Sequence, residues 1–587
     1  MSDQNSLNLE TGSVESVEKY KFEPIKGYPM LHWQGKMPFT STQYYPAQKK
    51  EVYGEEVNGW INKIFWGDNL QVMSHLLKEY RGMIQAIYID PPFDSKADYK
   101  KKIKVKGKKY EGDTGSFEEK QYTDIWTNDQ YLQFMYERIV ILRELLCDSG
   151  TLIVHCDQSK GHLLRCLLDE IFGEKNFLNE VIWDYRRWPT PAPEYQKMHD
   201  NIYLYVKNKG KHKFIRQYMP RSKETEKRWK GKSIVASHGE DGERVPSDST
   251  AEDSKGSPMN SVWYIPIVAP SGHERVGYPT QKPEALITKL ILGCTDEGSI
   301  VFDCFMGSGT TQAVSLKLGR KFIGADINQG SVQTTTKRIL KFLEKPSLVD
   351  QCSVYNSCGL EVYTVNHYDV FRNPLEAKSL LLEALEIEAL SGSIYDGEKD
   401  GFMVKVMPVN RIATREDLNE LIVNFPYKVF DQRKEGNPNK PVESIMLVCM
   451  GHESNLKAHL EQECGYKIDV KVVDILRDKA NIEFKRDSEA EFIFVDGKLE
   501  VTNFYPMNLM QKLSLQKESV NEWRELVESI VIDWNYDGAA IEPTVVDIPT
   551  KNEFVVGSYN IPATAGTIKI KITDLLSDSY EEVIQHG

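Results

Sequence analysis

The stretch VFDCFMGSGTTQAVSLKLGRKFIGADIN, residues 301–328, decides the fold. An apolar strand ends at Asp303, a Gly-Ser-Gly turn and a helix follow, and a second strand ends at Asp326. Gly307 and Gly309 allow the backbone to approach a ligand, and the start of the helix presents unpaired amides to it. Asp326 lies about 20 residues beyond the glycines, where a carboxylate at a strand end can accept both hydroxyls of a ribose. The stretch therefore predicts a site for a nucleoside cofactor.

Other ligand classes fit this turn less well. No lysine follows the glycines, so nothing in the motif would neutralise the triphosphate of a phosphate-loop NTPase. The third glycine of the dinucleotide fingerprint is also missing. A turn of the same composition that only joins a strand to a helix stays the structural alternative.

Apolar strands alternate with helical stretches through most of the first 345 residues. One block runs from NKIFWGDN through MIQAIYID and TLIVHC to LLRCLLDEIFG, and a second runs from PEALITKLILGCTDEG to KFIGADIN. Such alternation predicts a parallel sheet covered by helices, and ligands of these sheets bind at the carboxyl ends of the strands. Asp68 and Asp90 both fall at such ends, so we expect them at the same edge as the glycine turn.

The segment YIDPPFDSKADY, residues 88–99, suits chemistry on the amino group of a nucleobase. This group is a poor nucleophile because its lone pair is delocalised into the ring. Asp90 can accept one of its hydrogens and the Pro91 carbonyl the other, while Pro92 holds Pro91 in an extended conformation. Phe93 offers a ring on which an extruded base can stack. A proline pair that merely caps a strand is the alternative.

These motifs resemble those of the DNA amino-methyltransferases, which modify N6 of adenine or N4 of cytosine with S-adenosylmethionine. DPPF (90–93) is similar to their catalytic motif and FMGSGTT (305–311) to their cofactor motif. The catalytic motif comes first, as in the circularly permuted β class and in the modification subunits of type III restriction systems. Further similar segments are WGDN (66–69), QYTDIWTNDQYLQFMYERI (121–139), KMHDNIYLYVKN (197–208) and YPTQKPEALITKLI (278–291).

The resemblance covers about residues 65–345 and implies both a fold and a set of site residues. The fold is α/β, a Rossmann-like methyltransferase sheet of seven mixed strands with helices on both faces. The implied catalytic residues are Asp90, Pro91, Pro92 and Phe93. The implied cofactor-binding residues are Asp68, Asn69, Asp90, Gln281, Lys282, Asp303, Phe305, Gly307, Ser308, Gly309, Thr310 and Asp326.

The resemblance also implies which of these residues would contact each part of the cofactor. Asp303, Phe305 and the two glycines would border the methionine part, Asp326 would hold the ribose, and Asp68 or Asn69 would reach the adenine. Thr280 to Pro283 match the segment that closes over the cofactor. The aspartate form of the catalytic motif favours adenine as the target and the serine form favours N4 of cytosine, which stays the alternative. No metal is implied, because a sulfonium is already an activated methyl donor.

Charge is unevenly distributed along the 587 residues, whose formal net charge is -13. Residues 346–587 carry about 24 basic and about 41 acidic side chains, or about −17, which leaves about +4 for residues 1–345. The segment 96–110 alone holds about eight lysines, which form either a solvated loop or a phosphate-contacting surface. The candidate DNA-binding residues are Lys100, Lys101, Lys102, Lys104, Lys106, Arg216, Arg221 and Arg228.

Changes in composition predict the domain boundaries. Residues 1–22 are expected to form a flexible tail, and the methyltransferase domain to comprise residues 23–208 and 278–345. Residues 209–277 would be a target-recognition insert and residues 346–365 a linker. Residues 366–587 would be a separate α+β domain, which contains a hairpin in EFIFVDGKLEVTNF around an Asp-Gly turn.

Two functions of different classes follow from these patterns. The first is a site-specific adenine-N6 methyltransferase of a restriction-modification or related defence system, which flips an adenine out of duplex DNA. The second is a DNA-recognition subunit of a larger nuclease-helicase assembly, and RNA as substrate is a third option. The expected partners are duplex DNA, a restriction nuclease-helicase subunit and a second copy of the chain. A polar start and the lack of a long apolar run predict a cytoplasmic protein without a membrane partner. The resemblance implies a prokaryotic cell, with the protein in the cytoplasm or nucleoid.

Overall fold

The computed structural model describes most of the chain. The described residues are 19–21, 30–92, 98–104, 116–123, 128–187, 193–219, 227, 236–238, 244–246, 257–269, 272–344, 353–365, 378, 381–382, 385, 387–390, 393–408, 413, 415–438, 440–449, 452, 456–474, 488–515, 520, 522–549 and 553–585. The predicted tail, apart from residues 19–21, lies outside them, as do Phe93, Lys106, Arg221 and Arg228.

A ten-stranded sheet forms the centre of the chain. Its strands are β1 (Ala47–Tyr53), β2 (Asn62–Trp66), β3 (Ile84–Ile89), β4 (Leu146–Cys156), β5 (Phe177–Asp184), β6 (His199–Val206), β7 (Val262–Tyr264), β8 (Ile300–Asp303), β9 (Lys321–Asp326) and β10 (Leu360–Val365). They lie side by side in the order β7-β5-β6-β4-β3-β8-β9-β2-β10-β1. The six pairs β7/β5, β4/β3, β3/β8, β8/β9, β9/β2 and β2/β10 are parallel, and β5/β6, β6/β4 and β10/β1 are antiparallel.

Helices cover both faces of this sheet, as predicted. They are α1 (Asn69–Tyr80), α2 (Asn128–Leu145), α3 (Gly161–Phe172), α4 (Glu284–Cys294), α5 (Thr310–Lys317) and α6 (Gln329–Glu344). Side chains alternate between the faces of a strand, so in β3 Ile87 and Ile89 pack in one core with α1, α2 and α3. Ala86 and Tyr88 pack in the other core, against α4. The predicted α/β architecture is confirmed at this level.

The sheet is wider than the seven strands that the resemblance implies, because three strands extend its ends. Strand β10 falls in the predicted linker, yet most of its side chains are buried and it pairs with both β1 and β2. Strand β7 falls in the predicted insert and pairs with β5. The third added strand is β1, which pairs with β10 at the end of the sheet. Residues 19–21 of the predicted tail pair with Ser41–Gln43 in a separate two-stranded sheet. These differences arise because edge strands form where their backbone groups find partners, whatever the local composition.

Three shorter ladders complete the first part of the chain. The lysine-rich strand Asp98–Lys104 pairs antiparallel with Ser116–Thr123. Within the predicted insert, Tyr218–Met219 pairs with Ser257–Pro258, and Ala236–His238 pairs with Arg244–Pro246.

The region after residue 387 folds in two parts. The first is a five-stranded sheet of β11 (Glu388–Ala389), β12 (Gly397–Lys399), β13 (Phe402–Val406), β14 (Glu443–Cys449) and β15 (Ile468–Asp474), with α7 (Arg415–Val423), α8 (Tyr427–Gly436) and α9 (Leu456–Glu463). Because β13, β14 and β15 are parallel and joined through helices, this part is α/β rather than α+β.

The second part is antiparallel. Its elements are β16 (Glu489–Val495), β17 (Lys498–Tyr505), α10 (Met507–Leu515), β18 (Val527–Asp533), β19 (Val545–Asp547), β20 (Ser558–Asn560), β21 (Thr567–Asp574) and β22 (Ser579–Gln585). Asp496 and Gly497 join β16 to β17 with φ values of 49° and 71°. Two left-handed residues are what a two-residue hairpin turn requires, and the predicted hairpin is confirmed.

This antiparallel part also packs on the ten-stranded sheet. The Ile541 amide donates to the Lys50 carbonyl and the Val52 amide to the Ile541 carbonyl, each at a distance of 2.9 Å or less. Lys571 forms an ion pair with Glu51 of β1, and Gln333 of α6 donates to the Ser577 carbonyl at 3.0 Å. The predicted separate domain thus has cores of its own but is joined to the first domain by these contacts. Within the described ranges, no helix is long and apolar enough to cross a membrane.

Candidate active site

Four carboxylates meet at one edge of the sheet. Strands β2, β9, β8 and β3 are neighbours and run parallel. The carboxyl ends of parallel strands lie at the same edge. There the chain places Asp68, Asp326, Asp303 and Asp90, each at or just after the last residue of its strand. The structure therefore brings together the predicted catalytic segment and the glycine turn, which are about 200 residues apart in sequence.

The glycine turn depends on its two glycines. Gly307 and Gly309 have φ values of 50° and 70°, a region that disfavours other residues. A Cβ atom on Gly309 would come within 2.5 Å of the Thr335 side chain. The Gly307 amide donates to Asp326 Oδ2 at 2.9 Å, and α5 begins immediately after the turn at Thr310. The turn is thus fixed against the end of β9.

Two carboxylates beside the turn are shielded from solvent, Asp303 almost completely and Asp326 in part. Asp303 accepts hydrogen bonds from Thr311 Oγ1 at 2.6 Å and from the Phe305 amide at 3.0 Å. Burial raises its pKa to about 7, and the negative charges of Asp90 and Asp326 add to the rise. Burial also raises the pKa of Asp326 to about 6, against the opposing effect of bonds from the Asn328 and Gly307 amides. Both acids therefore change charge close to neutral pH.

Asp90 is held by a lysine from the other half of the domain. Lys282 Nζ donates to Asp90 Oδ2, and the two side chains are only 12% and 16% exposed. Asp90 Oδ1 is buried and has no hydrogen-bond partner in the described part of the chain. The Lys282 carbonyl accepts a bond from Thr310 Oγ1 at 3.3 Å. Lys282 thus connects the catalytic segment to the first residue of α5, whereas the resemblance placed it on the cofactor.

Other residues predicted to bind the cofactor form hydrogen bonds within the protein. Gln281 Oε1 accepts from the Val276 amide at 2.9 Å, and its Nε2 donates to the Glu274 carbonyl at 2.6 Å. Arg338 Nη1 donates to the Ser308 carbonyl and to Thr310 Oγ1, both at 3.1 Å. The Gln281 bonds stabilise the loop that precedes α4, and the Arg338 bonds stabilise the glycine turn.

Asp68 and Asn69 are occupied by a residue that sequence reasoning missed. Arg138 Nη2 donates to Asp68 Oδ2 at 3.0 Å, and Arg138 Nε donates to Asn69 Oδ1 at 2.5 Å. Asp68 also caps α1 by accepting from the Leu70 amide at 2.9 Å. Asp68 and Asn69 therefore position α1 and Arg138, and their predicted reach to a cofactor adenine stays a prediction.

Phe134 borders the same corner. The Arg138 guanidinium lies 3.4 Å from the centre of the Phe134 ring, and this ring lies 6.3 Å from that of Phe305. A cavity of about 410 Å³ adjoins the pair and is lined by Gln34, Gly35, Asp129, Gln133, Phe134, Glu137 and Arg138. The available signal was the segment QYTDIWTNDQYLQFMYERI, whose helix carries Phe134 and Arg138 four residues apart, on one face.

Ile327 is a second residue that the sequence did not single out. It follows Asp326 directly and is 53% exposed, which is high for a large apolar side chain at the end of a buried strand. Its carbonyl accepts a bond from Trp66 Nε1 at 3.1 Å, which fixes the backbone beside the Asp326 carboxylate. An exposed apolar side chain at this point can cover one face of a nucleoside base.

Of the predicted DNA-binding side chains, the described part of the chain includes that of Arg216, which lies away from this edge. Lys213 donates its amide to the Ser149 carbonyl at 3.2 Å, and Ile215 donates to the Gly293 carbonyl at 2.8 Å. Both acceptors lie near the amino ends of the parallel strands, so Arg216 sits at the edge opposite the four carboxylates. Lys100, Lys101, Lys102 and Lys104 lie in a strand whose side chains fall outside the described part, as do Lys106, Arg221 and Arg228. In the described residues, no group of three or more His, Cys, Asp or Glu side chains could hold a metal.

A parallel sheet whose carboxyl edge carries a glycine turn and buried carboxylates defines a nucleoside-cofactor enzyme. Residues 84–337 match the family described as DNA methylase. This region belongs to the N6/N4 DNA methylase family, and the chain carries a DNA methyltransferase. The resemblance drawn from the two motifs is confirmed.

Three relatives illustrate the similarity. The type II methyltransferase M.EcaI of Enterobacter cloacae is 26% identical over 395 residues, which cover 56% of this chain and 82% of the relative. The Mod subunit of the type III restriction-modification enzyme StyLTI of Salmonella typhimurium is 25% identical over 348 residues, 47% of this chain and 53% of the relative. The DNA adenine methyltransferase YhdJ of Escherichia coli is 25% identical over 283 residues, 47% of this chain and 82% of the relative.

The cofactor predicted for this family is S-adenosylmethionine, and the described residues fit it. Gly309 packs so closely against Thr335 that a Cβ atom would clash, which holds the glycine turn at the end of β9 beside Asp326. Asp326 and Ile327 place a carboxylate beside an exposed apolar side chain, which matches a ribose next to a base. Several carboxylates at the same edge attract the positive charge of a sulfonium. They would repel the negative charge of a phosphate ligand.

Proposed function

We propose that the chain is a site-specific DNA methyltransferase that transfers a methyl group from S-adenosylmethionine to N6 of an adenine flipped out of duplex DNA. We place it in a restriction-modification or related defence system. The observation that carries the proposal is the state of Asp90, whose Oδ2 is held by Lys282 while Oδ1 is buried and unpaired among the described residues. An unpaired buried acceptor has a free-energy cost, which a donor from a substrate would remove.

The chemistry follows from that acceptor. Bound S-adenosylmethionine supplies a methyl carbon that is already electrophilic. Asp90 Oδ1 accepts one N–H of the target amino group, and the Pro91 carbonyl accepts the other, so the nitrogen lone pair turns away from both acceptors. Pro92 keeps the Pro91 carbonyl in a fixed direction. After transfer the nitrogen carries an extra proton, which Asp90 can take up and release to solvent.

Adenine is the target that the residues favour. The catalytic motif has an aspartate rather than a serine, and YhdJ, one of the similar proteins, is named as a DNA adenine methyltransferase. N4 of cytosine is the alternative target. Single-base sequencing of modified positions in DNA from cells that express the chain would identify the base, the atom and the recognition sequence. Modified cytosine at a defined site would replace adenine in the proposal.

The similarity to the StyLTI Mod subunit supports a second candidate, a recognition subunit that works with a nuclease-helicase partner. The aligned region spans about half of that relative. The nuclease-helicase partner of this chain is therefore a proposal that depends on this similarity alone. The test is turnover by the purified chain alone. Multiple turnover without any added protein supports the enzyme, and DNA binding without turnover supports the recognition subunit.

Lys282 gives the first prediction, because it contacts Asp90 while the resemblance assigns it to the cofactor. Lys282→Met keeps the apolar stem but removes the ammonium group, so the Asp90 carboxylate is free to rotate. We expect kcat for DNA methylation to fall about 10- to 100-fold, with the cofactor Kd changed less than about threefold. Lys282→Arg should recover part of kcat. A cofactor Kd that rises more than kcat falls would make Lys282 a cofactor ligand instead.

The buried carboxylates give a prediction about pH. The pKa of Asp326 is about 6, so its carboxyl is ionised above that pH and protonated below it. Only the ionised form accepts hydrogen bonds through both oxygens, so the contribution of Asp326 to cofactor affinity should be full well above about pH 6 and be lost as the pH falls through about 6. Asp303, whose pKa is about 7, should cause a smaller loss of cofactor affinity as the pH falls through about 7. Calorimetric titration at several pH values measures this.

Asp326→Asn provides the control for the pH prediction. Asparagine keeps an acceptor oxygen but does not titrate, so the step near pH 6 should disappear while the one near pH 7 stays. An affinity that is constant from about pH 8 to about pH 5 would show that neither carboxylate faces the ligand.

A further inference from the structure

The end of strand β5 carries two cations beside one buried and one exposed aromatic ring, and no predicted motif includes them. Arg186 and Arg187 are exposed and follow β5 and the buried Tyr185. The Arg186 guanidinium lies 5.3 Å from the centre of the Tyr264 ring, and that of Arg187 lies 4.9 Å from the centre of the Tyr185 ring. Tyr264 is 57% exposed. Among the described residues, no ion pair to a carboxylate involves Arg186 or Arg187.

Strand direction puts these residues at the edge that holds the four carboxylates. Strand β5 is antiparallel to β6, and β6 is antiparallel to β4, so β5 runs parallel to β4 and β3. Strand β7 is parallel to β5, with Tyr264 opposite Asp184. Strand β5 lies three positions from β3, or about 14 Å at the usual spacing of strands. The cations thus lie beside the catalytic segment.

A chain of hydrogen bonds fixes this distance. The Tyr185 hydroxyl donates to Asp200 Oδ1 at 3.0 Å, and Asp200 Oδ2 lies 3.1 Å from His155 Nε2. His155 Nδ1 lies 2.8 Å from the hydroxyl of Tyr88, two residues before Asp90. His155 is fully buried. Because this chain crosses β5, β6, β4 and β3 in turn, the ring under Arg187 is held rigidly relative to the catalytic segment.

The cations at the opposite edge are in a different electrostatic state. Lys211 forms an ion pair with Asp148 at 3.2 Å, and Lys213 pairs with Asp296. A cation that is already paired gains less from a phosphate than one that is not, because its partner must first be displaced. The two edges of the sheet therefore differ. Arg186 and Arg187 lie at the edge with the four carboxylates and form no ion pair among the described residues, whereas Lys211 and Lys213 at the opposite edge are each paired with an aspartate.

We propose that Arg186, Arg187 and Tyr264 form a clamp that grips the sugar-phosphate backbone of duplex DNA beside the flipped base. The clamp rests on the proposed function and names the surface through which that function holds its substrate. Guanidinium groups recognise phosphates with paired donors, and their planar faces pack on aromatic rings. At about 3.4 Å per nucleotide, about 14 Å places the contacts about four nucleotides from the target. Contacts of this kind set affinity and register without reading sequence.

The test compares two double variants that each remove two positive charges. Arg186→Ala/Arg187→Ala removes the clamp, and Lys211→Ala/Lys213→Ala removes the paired lysines at the far edge. We expect the arginine variant to bind a labelled 30-base-pair duplex about 10-fold more weakly, with a slope of log K against log salt that is less steep by about 2. Cofactor Kd in the absence of DNA should change less than about threefold.

The lysine variant should bind and methylate like the wild type. Arg186→Lys/Arg187→Lys keeps both charges and should restore the salt slope, which also separates lost contacts from misfolding. An arginine variant that binds with unchanged affinity and slope would overturn the clamp, as would an equal loss in the lysine variant. If the wild type binds the duplex through the arginines but transfers no methyl group, the clamp stands and the proposed methylation is wrong.

Discussion

Replacing Asp90 by alanine is expected to lower kcat for methyl transfer to duplex DNA by about 10³-fold or more. In the proposed mechanism the carboxylate is the acceptor that orients the amino group, and loss of one fixed polar contact that acts in a transition state commonly reduces rates by about 10²- to 10³-fold. Loss of the proton acceptor adds to this reduction. The same change leaves the Lys282 ammonium without its carboxylate partner. Single-turnover kinetics with labelled S-adenosylmethionine measure the effect on the chemical step.

Two control variants distinguish loss of the Asp90 acceptor oxygen from loss of one negative charge. Asp90→Asn retains an acceptor oxygen, so its kcat should lie between those of the wild type and the alanine variant. Asp148→Ala removes one negative charge at the opposite edge of the sheet and should leave kcat within about twofold of the wild type. Cofactor Kd should change less than about fivefold in Asp90→Ala. Full activity in that variant would remove Asp90 from the reaction.

Replacing Asp326 by alanine is expected to raise the cofactor Kd by about 100-fold. Hydrogen bonds to a charged group contribute about 1.5–3 kcal/mol each, and about 2.7 kcal/mol corresponds to a factor of about 100. The carboxylate would lose its bonds to the ribose and also its bond from the Gly307 amide, which holds the glycine turn. Calorimetry of cofactor binding in the absence of DNA measures this effect directly.

Asp326→Asn distinguishes binding from support of the turn. Asparagine can still accept a bond from the Gly307 amide, so the turn should hold while affinity falls about 10-fold. A thermal unfolding midpoint equal to that of the wild type in both variants would confirm that the sheet is intact. If Asp326→Ala binds the cofactor as tightly as the wild type, the ribose lies elsewhere and the nucleoside site is wrongly placed.

The part of the fold that the sequence predicts well is the part whose signals are local. Each of the four acids ends an apolar run that is short enough to be a strand, and parallel strands place their carboxyl ends together, so Asp68, Asp90, Asp303 and Asp326 were expected at one edge. Strands β7 and β10 were not foreseen, because they are short segments in polar or acidic surroundings. Their pairing with β5 and β2 depends on residues far away in sequence.

The candidate site divides in the same way. The glycines could be predicted because left-handed backbone leaves a local signature, and Gly307 and Gly309 have that conformation. Partners of side chains could not be predicted, since Lys282 meets Asp90 across about 190 residues and Arg138 meets Asp68 across about 70. Spacing along the chain carries no information about which of several nearby groups a long side chain will reach.

The most direct measurement of the central claim is the identity of the methylated nucleoside. Purified chain is incubated with isotopically labelled S-adenosylmethionine and duplex DNA, and the DNA is then hydrolysed and analysed by mass spectrometry. We predict labelled N6-methyladenine with the wild type and none with Asp90→Ala, although calorimetry shows that the variant still binds the cofactor. No methylated nucleoside from wild-type protein that binds both cofactor and DNA, or an equal yield from the variant, would contradict the claim that Asp90 presents the base to the methyl group.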